Sequence, residues 1–387
     1  MYSNVSSLRN KIDELQCVIQ EKKPDIIGLT EVWMKESINI EGYHPAFRWD
    51  REAERKGGGV MIFAKNTLKV SECTELSSIG FEETIWCTVQ LSRAERLLVG
   101  VCYRSPSSSA DNNAKLNSLI KKATSLGTRN LLIMGDFNYP QINWPKGFVG
   151  GADESEPAQF YDTTQNALLY QHVDFDTRYR DGCASSLLDL VFTNREYLVD
   201  KVEASQPLGK SDHVVLMWKC VYRDRPCELR ADSAAVSYNY KKGNFSGMRA
   251  KLSVTDWQEL TDLNVQDTWR CIKNVILESI QLYIPEKKSH RGGVRTPWWS
   301  NVLTKEVKKK HKMWKQYVTT QSAEDHIAYK QQRNATSQAI RKARGDYENR
   351  LVSEMKQDPQ KLHRYIRAQL KVKPRVGPLE KKIRRND

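Results

Sequence analysis

Leu131-Leu132-Ile133-Met134-Gly135-Asp136-Phe137-Asn138 is the stretch whose reading decides the fold. Four apolar residues run into turn-formers, the pattern of a buried strand opening directly into a loop. A strand exit of this kind can hold a carboxylate and an amide side by side in a cleft, because residues two apart on a strand share a face. Turn preference alone explains an Asp and an Asn at such a place equally well. The company these residues keep elsewhere in the chain decides between the two.

The chain has 387 residues, enough for two or three domains, with 39% apolar and 28% charged residues. Its mean hydropathy of −0.64 marks a polar portion. The net charge of +14 is unevenly placed: residues 1–223 carry 26 Lys and Arg against 29 Asp and Glu, a net −3, and residues 224–387 carry 35 against 18, a net +17. A near-neutral body followed by a basic extension points to a polyanionic partner, most often nucleic acid. The eight cysteines (17, 73, 87, 102, 183, 220, 227 and 271) include no Cys-x-x-Cys pair and no His at zinc spacing. They read as free thiols in a reducing compartment. No signal-peptide core and no membrane-spanning apolar run is present, so the expectation is a soluble intracellular protein.

Leu8, Ile12, Leu15 and Ile19 repeat helically over 7–21, and Pro24 ends that helix. A strand over 25–31 then exits at Glu31. Gly57, Gly58 and Gly59 precede a strand at 60–64; with no Gly-Lys-Ser/Thr following, they read as a turn or close backbone approach and not a phosphate cradle. Residues 84–90 and 97–103 read as a hairpin around a polar turn at 92–95. A helix carries Leu116, Leu119, Ile120 and Ala123, and another is expected over 157–172. Strands come next at 186–192, with Asp189 inside, and at 214–218, fed by Ser211-Asp212-His213. Hairpin and helix alternate without a regular βαβ repeat, which indicates an α+β body. Residues 224–254 read as linker and 255–387 as a basic helical extension. In that extension Leu260 and Trp269 sit in a first helical stretch, Pro297-Trp298-Trp299 precedes a lysine-rich helix, and Pro359, Pro374 and Pro378 interrupt the C-terminal end.

Glu31, Asp136, Asn138, Asp189, Asp212 and His213 all fall at strand ends or beside core strands. Each has an ordinary reading as a surface carboxylate, a turn former or a structural histidine. Together they offer oxygen ligands and one imidazole, without a Ser/His/Asp triad or a cysteine nucleophile. Clustered carboxylates repel unless a cation joins them, and a hard-oxygen set suits Mg²⁺ or Mn²⁺. A divalent ion, a His that donates to an oxyanion and a base for water describe metal-assisted phosphoester hydrolysis.

These residues, with Asn4 and Tyr103-Arg104, occur in the order of the endonuclease/exonuclease/phosphatase superfamily, which the chain resembles over residues 3–222. The fuller motifs Asn4-x-x-Ser7-Leu8-x-x-Lys11, Leu29-Thr30-Glu31-x-Trp33, Met134 to Pro140 and Leu188 to Asn194 look most like the endonuclease of jockey-related non-LTR retrotransposons. Pro297-Trp298-Trp299 looks like the linker before their reverse transcriptase. The resemblance implies a four-layer α/β/β/α sandwich of the deoxyribonuclease-I type over 1–223, followed by the basic, mainly helical extension. It implies that Glu31 ligates Mg²⁺ with Asn4 beside it and that Asp136 activates water. Asn138 would hold phosphate or water, and His213 would donate to a non-bridging oxygen with Asp189 fixing its ring. Tyr103 would serve the same oxyanion, and Asp212 would complete the metal shell or assist the leaving oxygen. The expected activity is a DNA nick leaving 3′-hydroxyl and 5′-phosphate, in the nucleus.

Arg104, Lys308, Lys309, Lys310, Lys312 and Trp314 are the expected nucleic-acid contacts, with RNA as a further partner of the extension. Two departures from the family pattern stand out. Only Met1-Tyr2-Ser3 precede Asn4 where a full strand is usual, which would leave neighbouring backbone groups unpaired. No Tyr-x-Asp-Asp polymerase motif occurs before Asp387, which suggests a truncated retroelement product or a genome-encoded remnant. The competing readings are a phosphatase or phosphodiesterase of the same superfamily acting on a lipid head group, and a catalytically idle nucleic-acid-binding remnant.

Overall fold

A computed structural model of the chain describes residues 1–34, 36, 38–51, 57–91, 95–221, 238, 240–255, 257, 264–285, 296–355 and 358–369. Part of the expected 92–95 turn, about half of the 224–254 linker, Leu260, Pro374 and Pro378 lie outside the described residues. The elements of the body are β1 (Tyr2–Asn4), α1 (Ile12–Lys22), β2 (Ile26–Thr30), β3 (Phe47–Trp49), β4 (Val60–Ala64), β5 (Val70–Glu72), β6 (Thr84–Gln90), β7 (Arg96–Tyr103), α2 (Ala110–Ser125), β8 (Asn130–Asp136), β9 (Ile142–Asn143), β10 (Phe148–Val149), α3 (Glu156–Asn166), β11 (Tyr170–Gln171), β12 (Asp189–Thr193), β13 (Glu203–Ser205) and β14 (Val215–Met217). They are followed by α4 (Phe245–Ser253), α5 (Val265–Tyr283), α6 (Asn301–Thr320), α7 (Ala323–Ser353) and α8 (Pro359–Gln369).

Two mixed six-stranded sheets form the body, in the orders β13-β14-β1-β2-β4-β3 and β11-β12-β8-β7-β6-β5. Their inner faces interdigitate through Tyr2, Ile62, Val99, Met134, Val191 and Leu216. Gly28 of β2 permits this approach, since a Cβ there would lie 2.7 Å from Met134 Sδ and 2.8 Å from Val101 Cγ2. Helix α1 covers the outer face of the first sheet with Leu15 and Ile19. Helices α2 and α3 cover the second sheet, packing Leu116, Leu119, Ile120 and Phe160 on Leu131, Ile133 and Phe192. The result is the expected four-layer sandwich, with a helical C-terminal region after it.

The short strand ahead of Asn4 is filled and paired. β1 lies between two neighbours, parallel to β2 (Tyr2↔Gly28, Asn4↔Thr30) and antiparallel to β14 (Tyr2↔Leu216), so it has a paired strand on each edge. This corrects the expectation of unpaired neighbours.

The chain divides into two compact units, Met1–Glu228 with Gly293–Asp387, and Leu229–Gly292. Helices α4 and α5 belong to the second, so part of the stretch read as linker is helical. Helices α6 and α7 belong to the first, where they bury the face of α1 that the sheet leaves open. Cys17, Trp298, Leu303 and Ile340 form that seam.

Candidate active site

Sheet register brings the polar residues together at one end of both sheets. Asn4 pairs with Thr30, Tyr103 with Asp136, and Asp136 with Asp189 across adjacent strands. Asn4 ties the two sheets: its Nδ2 donates to Asp136 Oδ2 at 2.8 Å and to Glu31 Oε1 at 3.0 Å, and its Oδ1 accepts from Ser6 N at 3.0 Å. The Tyr103 hydroxyl donates to the same Glu31 oxygen at 2.9 Å. Asn138 N donates to Asp136 Oδ1 at 3.1 Å, and Asn138 Nδ2 donates to the Arg104 carbonyl at 2.9 Å.

Glu31 and Asn138 both adopt left-handed backbone, with φ of 53° and 50°. For a non-glycine residue this costs on the order of 1 kcal/mol or more, and such strain collects where a side chain must be aimed. The glycine run holds the first of these loops in place. Val32 N and Trp33 N donate to the carbonyls of Gly59 and Gly58, at 3.2 and 3.0 Å. Gly58 itself has φ +75°, and a Cβ there would fall 1.9 Å from Glu83 Oε1. That buried carboxylate accepts from Gly59 N at 2.9 Å and Arg51 Nε at 3.0 Å. The close backbone approach read from the sequence is what the three glycines make.

His213 is buried beside Asp136 and Asp189. Its Nδ1 donates to Asp189 Oδ2 at 2.7 Å, which points Nε2 toward Asp136 Oδ2 and Asp212 Oδ1, each 3.9 Å away. Burial opposes the imidazolium, but the charge of Asp189, its hydrogen bond and the further charges of Asp136 and Asp212 push the ring up to about 9. Asp136 is raised well above the carboxylate range, first by burial and then by Asp189, against the pull of His213 and Asn4. Asp212 goes the other way: burial would raise it, but His213 and Arg178 hold it below the usual value, with Arg178 Nε donating to its Oδ2 at 3.0 Å. Single ligand atoms of Asp136, Asp189 and His213 all lie within 4.8 Å of one another.

A model of the endonuclease/exonuclease/phosphatase family matches residues 1–213. The chain belongs to that family. No curated protein matches the sequence. Among solved structures, the endonuclease domain of TRAS1, a telomere-specific non-LTR retrotransposon, is 17% identical, with a TM-score of 0.47 over 58% of this chain and 98% of that one. The 3′ phosphatase NExo from Neisseria, bound to product DNA hairpin, is 16% identical (TM-score 0.42, 57% and 99% covered). An AP endonuclease from Archaeoglobus fulgidus is 15% identical (0.41, 57% and 99%). Family membership and the buried Asp–Asp–His group make the protein a hydrolase of phosphate or phosphodiester bonds.

Within this endonuclease/exonuclease/phosphatase fold, Asn4, Glu31, Tyr103, Asp136, Asn138, Asp189, Asp212 and His213 form one hydrogen-bonded and charge-coupled group. Three expected nucleic-acid contacts are instead internal. Arg104 is 5% exposed: its Nε donates to Asn113 Oδ1 at 2.8 Å, its Nη1 to the Asn138 carbonyl at 3.2 Å, and its guanidinium lies 3.9 Å over the Tyr139 ring. Lys310 is 3% exposed and donates to Glu14 Oε2 at 3.0 Å. Trp314 packs edge-on against Tyr179 and tilted against Tyr329, at centroid distances of 5.1 and 5.0 Å. Trp298, of the Pro297-Trp298-Trp299 motif, is buried as well. Lys308, Lys309 and Lys312 are exposed as expected.

The sequence reading missed several supports. The Tyr2 hydroxyl donates to Asp189 Oδ1 at 3.1 Å and shares a hydrogen bond with Thr30 Oγ1 at 2.8 Å. Thr177 Oγ1 accepts from the backbone N–H groups of Leu188 and Asp189, at 3.1 and 3.0 Å. Arg178 clamps Asp212. The alternation of β1 placed Tyr2 and Asn4 on one face and could have flagged Tyr2; nothing local marks Thr177 or Arg178.

Proposed function

We propose that the protein is a Mg²⁺-dependent DNA endonuclease of retrotransposon origin, which nicks a phosphodiester to leave 3′-hydroxyl and 5′-phosphate ends. The observation that carries this reading is the convergence of Glu31 and Asp136 on the Asn4 amide between the sheets, with His213, anchored by Asp189, beside Asp136. The donor set suits a hard cation. It offers carboxylate and amide oxygens without a thiol, and Asp136, raised first by burial and then by the charge of Asp189, stands in a cluster of carboxylates whose repulsion a divalent ion would relieve. Glu31 would hold the ion with Asn4, and Asp212 is the next carboxylate in reach. Bound there, Mg²⁺ would neutralise the phosphate and favour charge build-up on its oxygens.

The rest is work for the chain's own side chains. Asp136 Oδ2, held by Asn4, orients the attacking water and takes its proton. His213 Nε2, positioned by Asp189, donates to a non-bridging oxygen as negative charge grows, and its raised pKa keeps that proton in place at neutral pH. Tyr103 fixes Glu31 and faces the same anion. Asn138 sets the Asp136 carboxylate through its backbone N–H. In-line attack on phosphorus then expels the 3′ oxygen, which takes its proton from solvent, while Asp212, kept an anion by His213 and Arg178, would complete the metal shell. The retroelement motifs and the basic C-terminal half support a nucleic-acid substrate over a lipid head group, and they favour a nuclear site of action. Residues 1–223 carry the chemistry in this reading.

Supercoiled plasmid nicking with Mg²⁺ tests it. Wild type should convert supercoiled to open-circular DNA with ends that a polymerase extends. Asp136→Ala and His213→Ala should each lose at least about 10²-fold. Nicking untouched by both substitutions would sink the site assignment, and DNA binding without nicking would favour the idle protein.

A further inference from the structure

The buried seam of α6 is made by Leu303, Val307, Lys310 and Trp314. At 100° per residue, Lys308, Lys312 and Lys315 fall together on one flank of that seam, with His311 between them and it. This flank faces the end of α1 and leaves a cavity of about 250 Å³ lined by Lys22, Gln206, Lys308, His311, Lys312 and Lys315. That is the volume of about eight liquid waters. Glu21, the one carboxylate in the lining, pairs with Lys22 at 3.0 Å. Among the described residues, Lys308, Lys312 and Lys315 have no acidic partner. The cavity therefore carries four lysines against one glutamate in a concave, rigidly anchored wall.

We propose that this crevice between α1 and α6 is an anion seat for the phosphodiester backbone of duplex DNA at a distance from the scissile phosphate, since its end of α1 leads into the start of β2 and Glu31 lies beyond the other end of that strand. The inference rests on the DNA endonuclease reading. Three observations support it beyond the count of charges. The wall does not flex freely, because α6 is pinned from beneath by the Lys310–Glu14 pair and by Trp314. Lys308 to Lys315 spans about 10 Å of helix, the length over which a duplex presents about six phosphate charges. His311 is held below its ordinary pKa by burial and then by Lys315 and Lys22, so the ring is neutral and hydrogen-bonded to Gln206. It adds a polar contact to the seat without adding repulsion among the lysines.

The test uses the full chain with Lys308→Glu/Lys312→Glu/Lys315→Glu, and the matching triple Gln variant in case charge reversal disturbs folding. Binding to labelled duplexes of about 12 and about 40 base pairs is followed by anisotropy in chelator across a salt series. Losing three phosphate contacts should weaken the long duplex roughly ten- to hundredfold near 0.1 M salt and flatten the log K against log salt slope by about 2 to 3. The short duplex, too short to span both the active site and the seat, should lose clearly less affinity and nicking than the long one. Unchanged long-duplex binding overturns the proposal, as does an equal loss for both lengths. A loss confined to a labelled RNA overturns its commitment to DNA. If wild type nicks neither duplex but the length-dependent loss persists, the seat stands and the endonuclease reading falls.

Discussion

Replacing Lys310 by methionine separates the two roles a lysine in a basic helix can play. Its Nζ and the Glu14 carboxylate are 3.0 Å apart, and their side chains are only 4% and 8% exposed, so solvent screens the pair little. Glu14 also accepts from Ser337 Oγ and, at 2.8 Å, from Gly209 N. Lys310→Met removes the cation paired with a carboxylate that stays buried, and breaking such a pair from one side costs about 3–5 kcal/mol. The two remaining hydrogen bonds place the expected loss near the lower end, about 3 kcal/mol, or a fall in Tm of about 6 °C for a unit of this size. Glu14→Gln/Lys310→Met removes both charges and should recover most of the loss, giving a coupling of about 2 kcal/mol in a double-mutant cycle.

The same pair predicts a pH dependence. Burial alone would raise the Glu14 pKa, but Lys310, Ser337 and Gly209 hold it below the ordinary glutamate value. A depressed folded-state pKa stabilises fully above the unfolded value, and the contribution is lost as pH falls through the folded one. Wild type should therefore lose more stability than the double variant below about pH 4.3. Differential scanning fluorimetry at pH 7 and across the acid range reads both effects. Lys310→Met melting within about 1 °C of wild type, with weakened DNA binding, would refute the argument and restore Lys310 as a surface contact.

Two further outcomes concern the site. Asp189→Asn should lower kcat for nicking about 10²- to 10⁴-fold with KM little changed, because it leaves His213 Nδ1 without its anionic acceptor; equal loss in DNA affinity would mark a folding defect instead. Gly58→Ala combines an unfavourable φ with a clash on Glu83, and it should destabilise the loop that carries Glu31. A drop in Mg²⁺ affinity larger than the drop in Tm accounts for would confirm that, and wild-type behaviour in both would dismiss it.

Much of the body was legible because its signals are local. The hairpin of β6 and β7 lies where alternation put it, and α2 carries the four expected apolar residues. The Gly-Asp-Phe-Asn turn ends β8, as the run from Leu131 to Met134 required. Local signals also misplaced boundaries: α1 starts at Ile12, with Leu8 in the preceding loop, and Asp189 opens β12 where a longer strand was expected around it. The features that stayed hidden depend on partners far away in sequence. Lys310 reads as one of a solvated run because its counterion is 296 residues distant, and Trp314 reads as a stacking platform because Tyr179 is invisible from its own helix. Arg104 comes directly after a strand like a substrate contact, yet Asn113 and the Asn138 carbonyl enclose it. Left-handed backbone at Glu31 has no sequence signature comparable to glycine's.

The position of β1 has a kinetic consequence. It fills the middle of its sheet, yet its two neighbours come from opposite ends of the body, β2 just after it and β14 some two hundred residues later. During synthesis one edge of β1 must wait, unpaired, until Leu216 has emerged. Such non-local closure is slow and leaves an open edge exposed to other chains. Asn4 lies on that strand and His213 just before its last partner, so the two sides of the candidate site meet only in this final step. Hydrolytic activity should therefore appear with the closing of the sheet, and a ribosome stalled before residue 216 should hold a body with much of its core but no working site.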